Sequence, residues 1–428
     1  MRTTLLACAA STALLWVAPA YAAFEHCDTV EELTLDSWRC GDKMVPLCLA
    51  LMPSENPDDP DNPGPSLFEQ HCVDVHLRIH KSAETLRTDF YREPEVPIDG
   101  STTFEAALAL PSDVKWSIVG AFAGNNQMLV GTVEPKDFLG NIFGTGRCPD
   151  TDERVVGGAI HDWRNITDPE KVTYTQTSKS GNTIQTISQL REWKRTGVLP
   201  ADTAIVCGAR FSVPGNEYRP SGEGIGEHYV LIEEENKRLT AGRVDMLRQG
   251  KYQGASIVAE YYFNIRRQIP NLRVYDVGIG PDSFVSAGLF VKNEKLDEKH
   301  EAFCRFNQAI QKALDQLFAG SVTKVGDSYV LDDAAAAGAF HDFMRVLPFE
   351  STDIALTNSL KGALEIRSQS TDIDHYQTFR ARLDFLGFAR ENLWWGTKPT
   401  EVQLQTFRDW FDVPDVGYID PCTYEPKA

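Results

Sequence analysis

The side chains able to do chemistry in this chain are spaced for holding a ligand more than for catalysis. Trp163 and Arg164 are adjacent, just before Ile166-Thr167 and just after the apolar run Val155–Ile160. A guanidinium fork binds a carboxylate or phosphate through two parallel hydrogen bonds, and an indole gives a flat apolar wall. A surface ion pair and a core tryptophan are the competing uses of the two. Thr167 suits a helix cap as readily as a ligand contact. The stretch Pro214–Gly226 holds four glycines and two prolines. It reads as a long mobile loop without the spacing of a phosphate loop. No Cys-x-x-Cys occurs, and the nine histidines show no His-Glu-x-x-His. Neither a metal site nor a thioredoxin-like redox site is expected, and no cofactor is implied.

Composition narrows the setting. Arg2, the apolar run Leu5–Val17 and the small-x-small triplet Ala20-Tyr21-Ala22 form a cleavable signal peptide over residues 1–22. The mature protein is then expected in the periplasm, with Ala23 as its first residue. Nine cysteines become eight once Cys8 is removed, an even number that suggests disulfides in an oxidising compartment, with 105 pairings open. A net charge of −19 argues against nucleic acid and anionic membranes as partners.

The elements that must position any site alternate in type. Val73, Val75, Leu77 and Ile79 repeat at period two, and Val114, Trp116, Ile118 and Gly120 do the same, so both stretches are expected strands. Phe104–Leu110 is a short helical stretch. Thr203–Cys207, Val244–Leu247, Leu272–Val277 and Ser286–Val291 also read as strands, and Glu233–Ala241 as a helix. Val258, Tyr261, Tyr262 and Ile265 predict a helix over Ser256–Arg267. Phe303, Phe306, Ile310, Ala313, Leu314 and Leu317 stripe a long one. The tail beyond 330 is mostly helical in pattern. Pro53–Pro65 is acidic and proline-rich and reads as an exposed loop, stapled to the body by its flanking cysteines. Strands alternating with helices favour an α/β body with a mostly parallel sheet.

The order of motifs resembles a known family. Val155-Val-Gly-Gly-Ala-Ile followed by Ile166-Thr167 and Val172-Thr-Tyr-Thr175, then Ile187–Trp193, Arg238-Leu-Thr-Ala-Gly-Arg-Val-Asp245 and Phe284–Lys292, is similar to type II periplasmic solute-binding proteins. The resemblance implies an α/β, two-lobed periplasmic-binding-protein type II fold, with lobe 1 at 73–175, lobe 2 at 176–280 and the return to lobe 1 at 281–330. It does not extend to the ends of the chain, which are read as an extra cysteine-rich N-terminal segment at 23–72 and a helical C-terminal extension at 331–428. The family places its ligand between the lobes. The resemblance also implies a monomer that captures a small polar, anionic ligand there for the permease of an ABC transporter. Arg210 and Ser212, after the strand Thr203–Cys207, fall where the family binds anionic groups. Gln249 and Tyr252, after Val244–Leu247, are placed to face the cleft. The family's two amino-acid anchors are missing, since Glu170 and Gly250 occupy their positions, so an α-amino acid is not the expected ligand.

Two enzymatic resemblances are weaker. Val155-Val-Gly-Gly is similar to the start of a trypsin-like protease, but no Gly-Asp-Ser-Gly follows. Glu350-Ser351, Ser359 and Gly362-Ala363 resemble part of a lytic transglycosylase motif in which the glutamate is the general acid, and the match stops at Glu365. A peptidoglycan-cleaving enzyme is therefore the alternative, together with an assembly partner of a periplasmic enzyme. No catalytic residue is assigned in the main reading.

Overall fold

The computed structural model describes residues 24, 26–37, 42–54, 63–80, 86, 98–104, 114–132, 140–143, 195–198, 204–209, 229–234, 247–248, 254–275, 280–318, 322–331, 373–411 and 413–427. Two mixed sheets organise them. The first has five strands in the order β2-β1-β3-β11-β4. These are β1 (Glu31–Ser37), β2 (Val73–Ile79), β3 (Gly100–Thr103), β4 (Trp116–Gly124) and β11 (Val285–Lys292). The second has six, in the order β10-β5-β9-β6-β8-β7. They are β5 (Gln127–Gly131), β6 (Gly140–Phe143), β7 (Ala204–Ala209), β8 (Tyr229–Glu234), β9 (Gly254–Val258) and β10 (Arg273–Tyr275). The hairpin β12 (Val322–Val325) with β13 (Ser328–Leu331) stands apart.

Each sheet is parallel except for one strand, and that strand comes from the other sheet. In the first sheet, β11 runs against both β3 and β4, and the chain reaches it from β10 of the second. In the second, β5 runs against β9 and β10, and the chain reaches it from β4 of the first. The outward crossing is only Asn125-Asn126, and both residues are buried. The Asn125 amide donates to Ser283 Oγ (3.2 Å), and the Ala259 amide donates to the Asn126 carbonyl (2.7 Å). The crossing is thus hydrogen-bonded to the strand return on one side and to the second sheet on the other.

Helices cover the first sheet. Helix α1 (Val45–Leu51) carries a proline in its first turn and is buried along Val45–Ala50. The short α2 (Leu67–Gln70) opens on a capping box, Ser66 with Glu69. The apolar stripe read from the sequence lies on α4 (Asn293–Leu317), where Phe303, Phe306, Ile310, Ala313 and Leu317 are fully buried. Phe306 stacks on Phe68 of α2 at 4.9 Å between centroids. Helix α3 (Ala259–Gln268) packs on α5 (Ile373–Asn392), and α6 (Glu401–Phe411) closes a second small core around Phe104, Phe284 and Phe407. None of the helices among the described residues is long and apolar enough to cross a membrane.

The structure changes several boundaries expected from pattern. Within the cysteine-rich stretch, β1 lies inside the first sheet between β2 and β3. Strands β5 and β6, expected in a lobe spanning 73–175, pair in the second sheet. Period-two alternation marks a strand but does not say which sheet it joins. Glu233 and Glu234 end β8 and do not open a helix, and Ser256–Val258 belong to β9, so that helix begins at Ala259. Leu247 is helical, not extended. Phe104 is helical; the rest of its expected helix, the run Val155–Ile160 and the loop Pro214–Gly226 lie outside the described residues.

The tail is built into the first sheet. Segments after α5 and α6 pair with the edge of β4 that β11 leaves open. The Gly124 amide donates to the Leu393 carbonyl (2.6 Å), Ala121 to Thr397 (3.0 Å) and Ile118 to Gly417 (2.9 Å). This covers a strand edge that would otherwise be a template for aggregation. Burial pushes the phenol of Tyr418, in the second of these segments, up to about 12, so it stays neutral at any ordinary pH. Disulfides secure both ends: Cys27 to Cys72, and Cys304 on α4 to Cys422 in the tail. Cys48 is also disulfide-bonded. Thiol titration of the mature exported protein in denaturant should therefore find no free cysteine, and Cys422→Ser should cost about 2–4 kcal/mol of stability. Four or more titratable thiols would contradict the oxidising compartment.

Candidate ligand site

In an open α/β sheet, ligands sit outside the carboxyl ends of the strands where the strand order reverses. The first sheet reverses between β1 and β3, because the chain goes from β1 outward to β2 and then returns to the other side of β1. The carboxyl ends at that point are Ser37 and Thr103, each 1% exposed. Ser37 Oγ and Thr103 Oγ1 are buried and have no hydrogen-bond partner among the described residues. A buried hydroxyl without a partner costs about 1–3 kcal/mol, and such groups in native proteins mark bound water, ions or ligands.

The surroundings are polar and fixed. After β1 the chain turns through a 3-10 turn, Asp42–Met44, that brings buried Lys43 back to the sheet. Its Nζ donates to Ser286 Oγ (2.7 Å) and lies 5.1 Å from the centre of the Phe104 ring. Ser286 is at the start of β11, which runs against its neighbours, so its first residues lie level with the last residues of β3 and β4. The crossing residues Asn125 and Asn126 and the Ser283 hydroxyl complete that end of the sheet.

A second cluster stiffens β1 and β2. Asp36 is fully buried, and its Oδ1 receives hydrogen bonds from His80 Nε2 (2.7 Å) and Arg78 Nε (3.0 Å). The His80 amide donates to the Ser37 carbonyl (2.9 Å), and Thr102 Oγ1 donates to the Asp36 carbonyl (3.2 Å). These bonds hold the ends of β1, β2 and β3 in one arrangement. Gly124, at the end of β4, has no room for a side chain: a Cβ would sit 2.2 Å from the Trp395 ring and 2.5 Å from Ser283 Oγ. The arrangement brings two buried hydroxyls and the Lys43 ammonium to one end of the first sheet.

The residues singled out in the sequence, Trp163, Arg164, Thr167, Arg210, Ser212, Gln249 and Tyr252, lie outside the described residues, as does Glu350. Conversely, Ser37, Lys43 and Thr103 were not singled out. Serine, lysine and threonine in loops are too common to stand out. The available signal was the alternation Leu33, Leu35, Ser37, which marks a strand ending in a polar residue.

No family model matches the chain, and no curated protein matches it. Solved structures do. The alkanesulfonate-binding protein SsuA from Xanthomonas axonopodis pv. citri, bound to MOPS, is 10% identical with a TM-score of 0.47 and covers 91% of this chain and 99% of its own. The ligand-binding component of an ABC-type import system from Staphylococcus aureus, with zinc bound, is 9% identical with a TM-score of 0.43, covering 93% and 94%. The periplasmic aliphatic sulphonate-binding protein SsuA from Escherichia coli is 9% identical with a TM-score of 0.42, covering 90% and 100%. All three are named as binding proteins.

Proposed function

We propose that this chain is an exported solute-binding protein that closes two lobes over a small polar, anionic ligand and delivers it to a membrane permease. The observation that carries this reading is the pair of buried, unpartnered hydroxyls, Ser37 and Thr103, at the strand-order reversal of the first sheet. The exchanged strands β5 and β11 support it, because a chain that passes from one sheet to the other and back is the construction of a hinge. The ammonium of Lys43 at the same end of the first sheet supports a negative ligand end. Trp163, Arg164, Thr167, Arg210, Ser212, Gln249 and Tyr252 are the contacts proposed from the remaining chain, with Arg164 as a second cation.

Native mass spectrometry of protein freshly purified from its export compartment is the test. A small acidic molecule that stays with the native protein and leaves on denaturation is the expected result. Calorimetry with that molecule should then show Arg164→Ala weakening binding by about tens to thousands of fold. A protein that carries no small molecule and co-purifies with an enzyme subunit would replace this reading with that of an assembly partner.

A further inference from the structure

A cavity of about 270 Å³ is lined by residues of α4 and of the segment that follows α5, and neither Ser37, Thr103 nor Lys43 is among them. The end of α4 and the segment after α5 build it. Its walls are the rings of Phe318, Trp394 and Trp395 with the Leu314 side chain, and its polar groups are Gln311 and Asp315. The Phe318 and Trp394 rings lie 5.8 Å apart at a 49° tilt, so they form a corner and not a stack. Phe318 already serves as a platform for a cation, since the Arg390 guanidinium lies 6.0 Å from its centre. The Asp315 carboxylate accepts a hydrogen bond from Gln311 Nε2 (3.1 Å), a neutral donor.

We propose that this cavity is a second ligand site, separate from the sheet edge, for a small organic cation of the quaternary-ammonium class. Aromatic faces attract a cation through their quadrupoles, most strongly tryptophan, and a nearby carboxylate adds a Coulombic term. A quaternary ammonium suits such a place because its methyl groups fill an apolar corner while its charge needs no hydrogen-bond acceptor. A primary ammonium would lose more hydration on entering. The volume admits a head group of that size. Trp395 links the site to the crossing, because its ring also covers Gly124. The proposal does not depend on the identity of any ligand at the sheet edge.

Choline is the probe, titrated calorimetrically into the mature full-length protein, with 3,3-dimethylbutan-1-ol as its uncharged isostere. Saturable choline binding is expected, weakened by salt. The isostere should bind at least about tenfold more weakly, and Asp315→Asn should weaken choline by about tenfold. Asp315 is exposed, so its substitution leaves folding intact. Phe318→Leu, which removes one ring and keeps an apolar side chain, should weaken choline in the same direction. Failure of choline to saturate in the millimolar range overturns the proposal. So does equal binding of the isostere, or an Asp315→Asn protein that binds choline as the wild type does.

Discussion

Combining Ser37→Ala with Thr103→Val should make the empty protein more stable and the ligand-binding protein nearly inactive. Both hydroxyls are buried without partners. An unpartnered buried hydroxyl costs about 1–3 kcal/mol, and replacing it with an apolar group of similar shape removes that cost. The double variant should therefore unfold at a higher urea concentration than the wild type. Affinity for the ligand found by native mass spectrometry should move the other way. A hydrogen bond to a charged group contributes about 1.5–3 kcal/mol, so losing two should weaken binding by roughly a hundredfold or more. Opposite movement of stability and affinity distinguishes a binding site from a packing defect. A double variant that is less stable yet binds as before would place the ligand elsewhere.

The second large effect is expected at Asp36. Its carboxylate is fully buried, with His80 Nε2 at 2.7 Å and Arg78 Nε at 3.0 Å from its Oδ1. Asp36→Ala removes the acceptor shared by His80 Nε2 and Arg78 Nε, and breaking a buried charged pair by removing one member costs about 3–5 kcal/mol. Chemical denaturation measures the loss directly. Replacing Asp36, Arg78 and His80 together with apolar residues of similar volume should be much milder, because the desolvation cost goes with the charges. Equal losses for the single and the triple changes would show that the cluster acts through packing alone.

These two sites show how the sequence and the fold divide the work. Hydrophobic period was enough for β2, β11 and α4, because each is long enough for alternation or a stripe to repeat. The disulfide expectation also came from sequence, from an even cysteine count after a stretch expected to be a signal peptide, though not the pairings Cys27–Cys72 and Cys304–Cys422. Strand β1 was hidden in a cysteine-rich stretch, since Leu33 and Leu35 make only two beats of a period-two pattern. The ends of Ser256–Val258 were misread because one strand turn and one helix turn share the same apolar residues.

By itself the sequence determined the alternation of elements, the acidic surface charge and the oxidised cysteines, all of which depend on residue type and near neighbours along the chain. Only the tertiary structure decided which strands share a sheet, and with that the strand-order reversal that brings Ser37 beside the end of β3 and Lys43 onto Ser286. Those residues are separated by 243 positions in the case of Lys43 and Ser286. Contacts at such distances are set by parallel pairing and crossing connections, which leave no periodic trace in the chain, so the site exists as a site only once the sheet has formed.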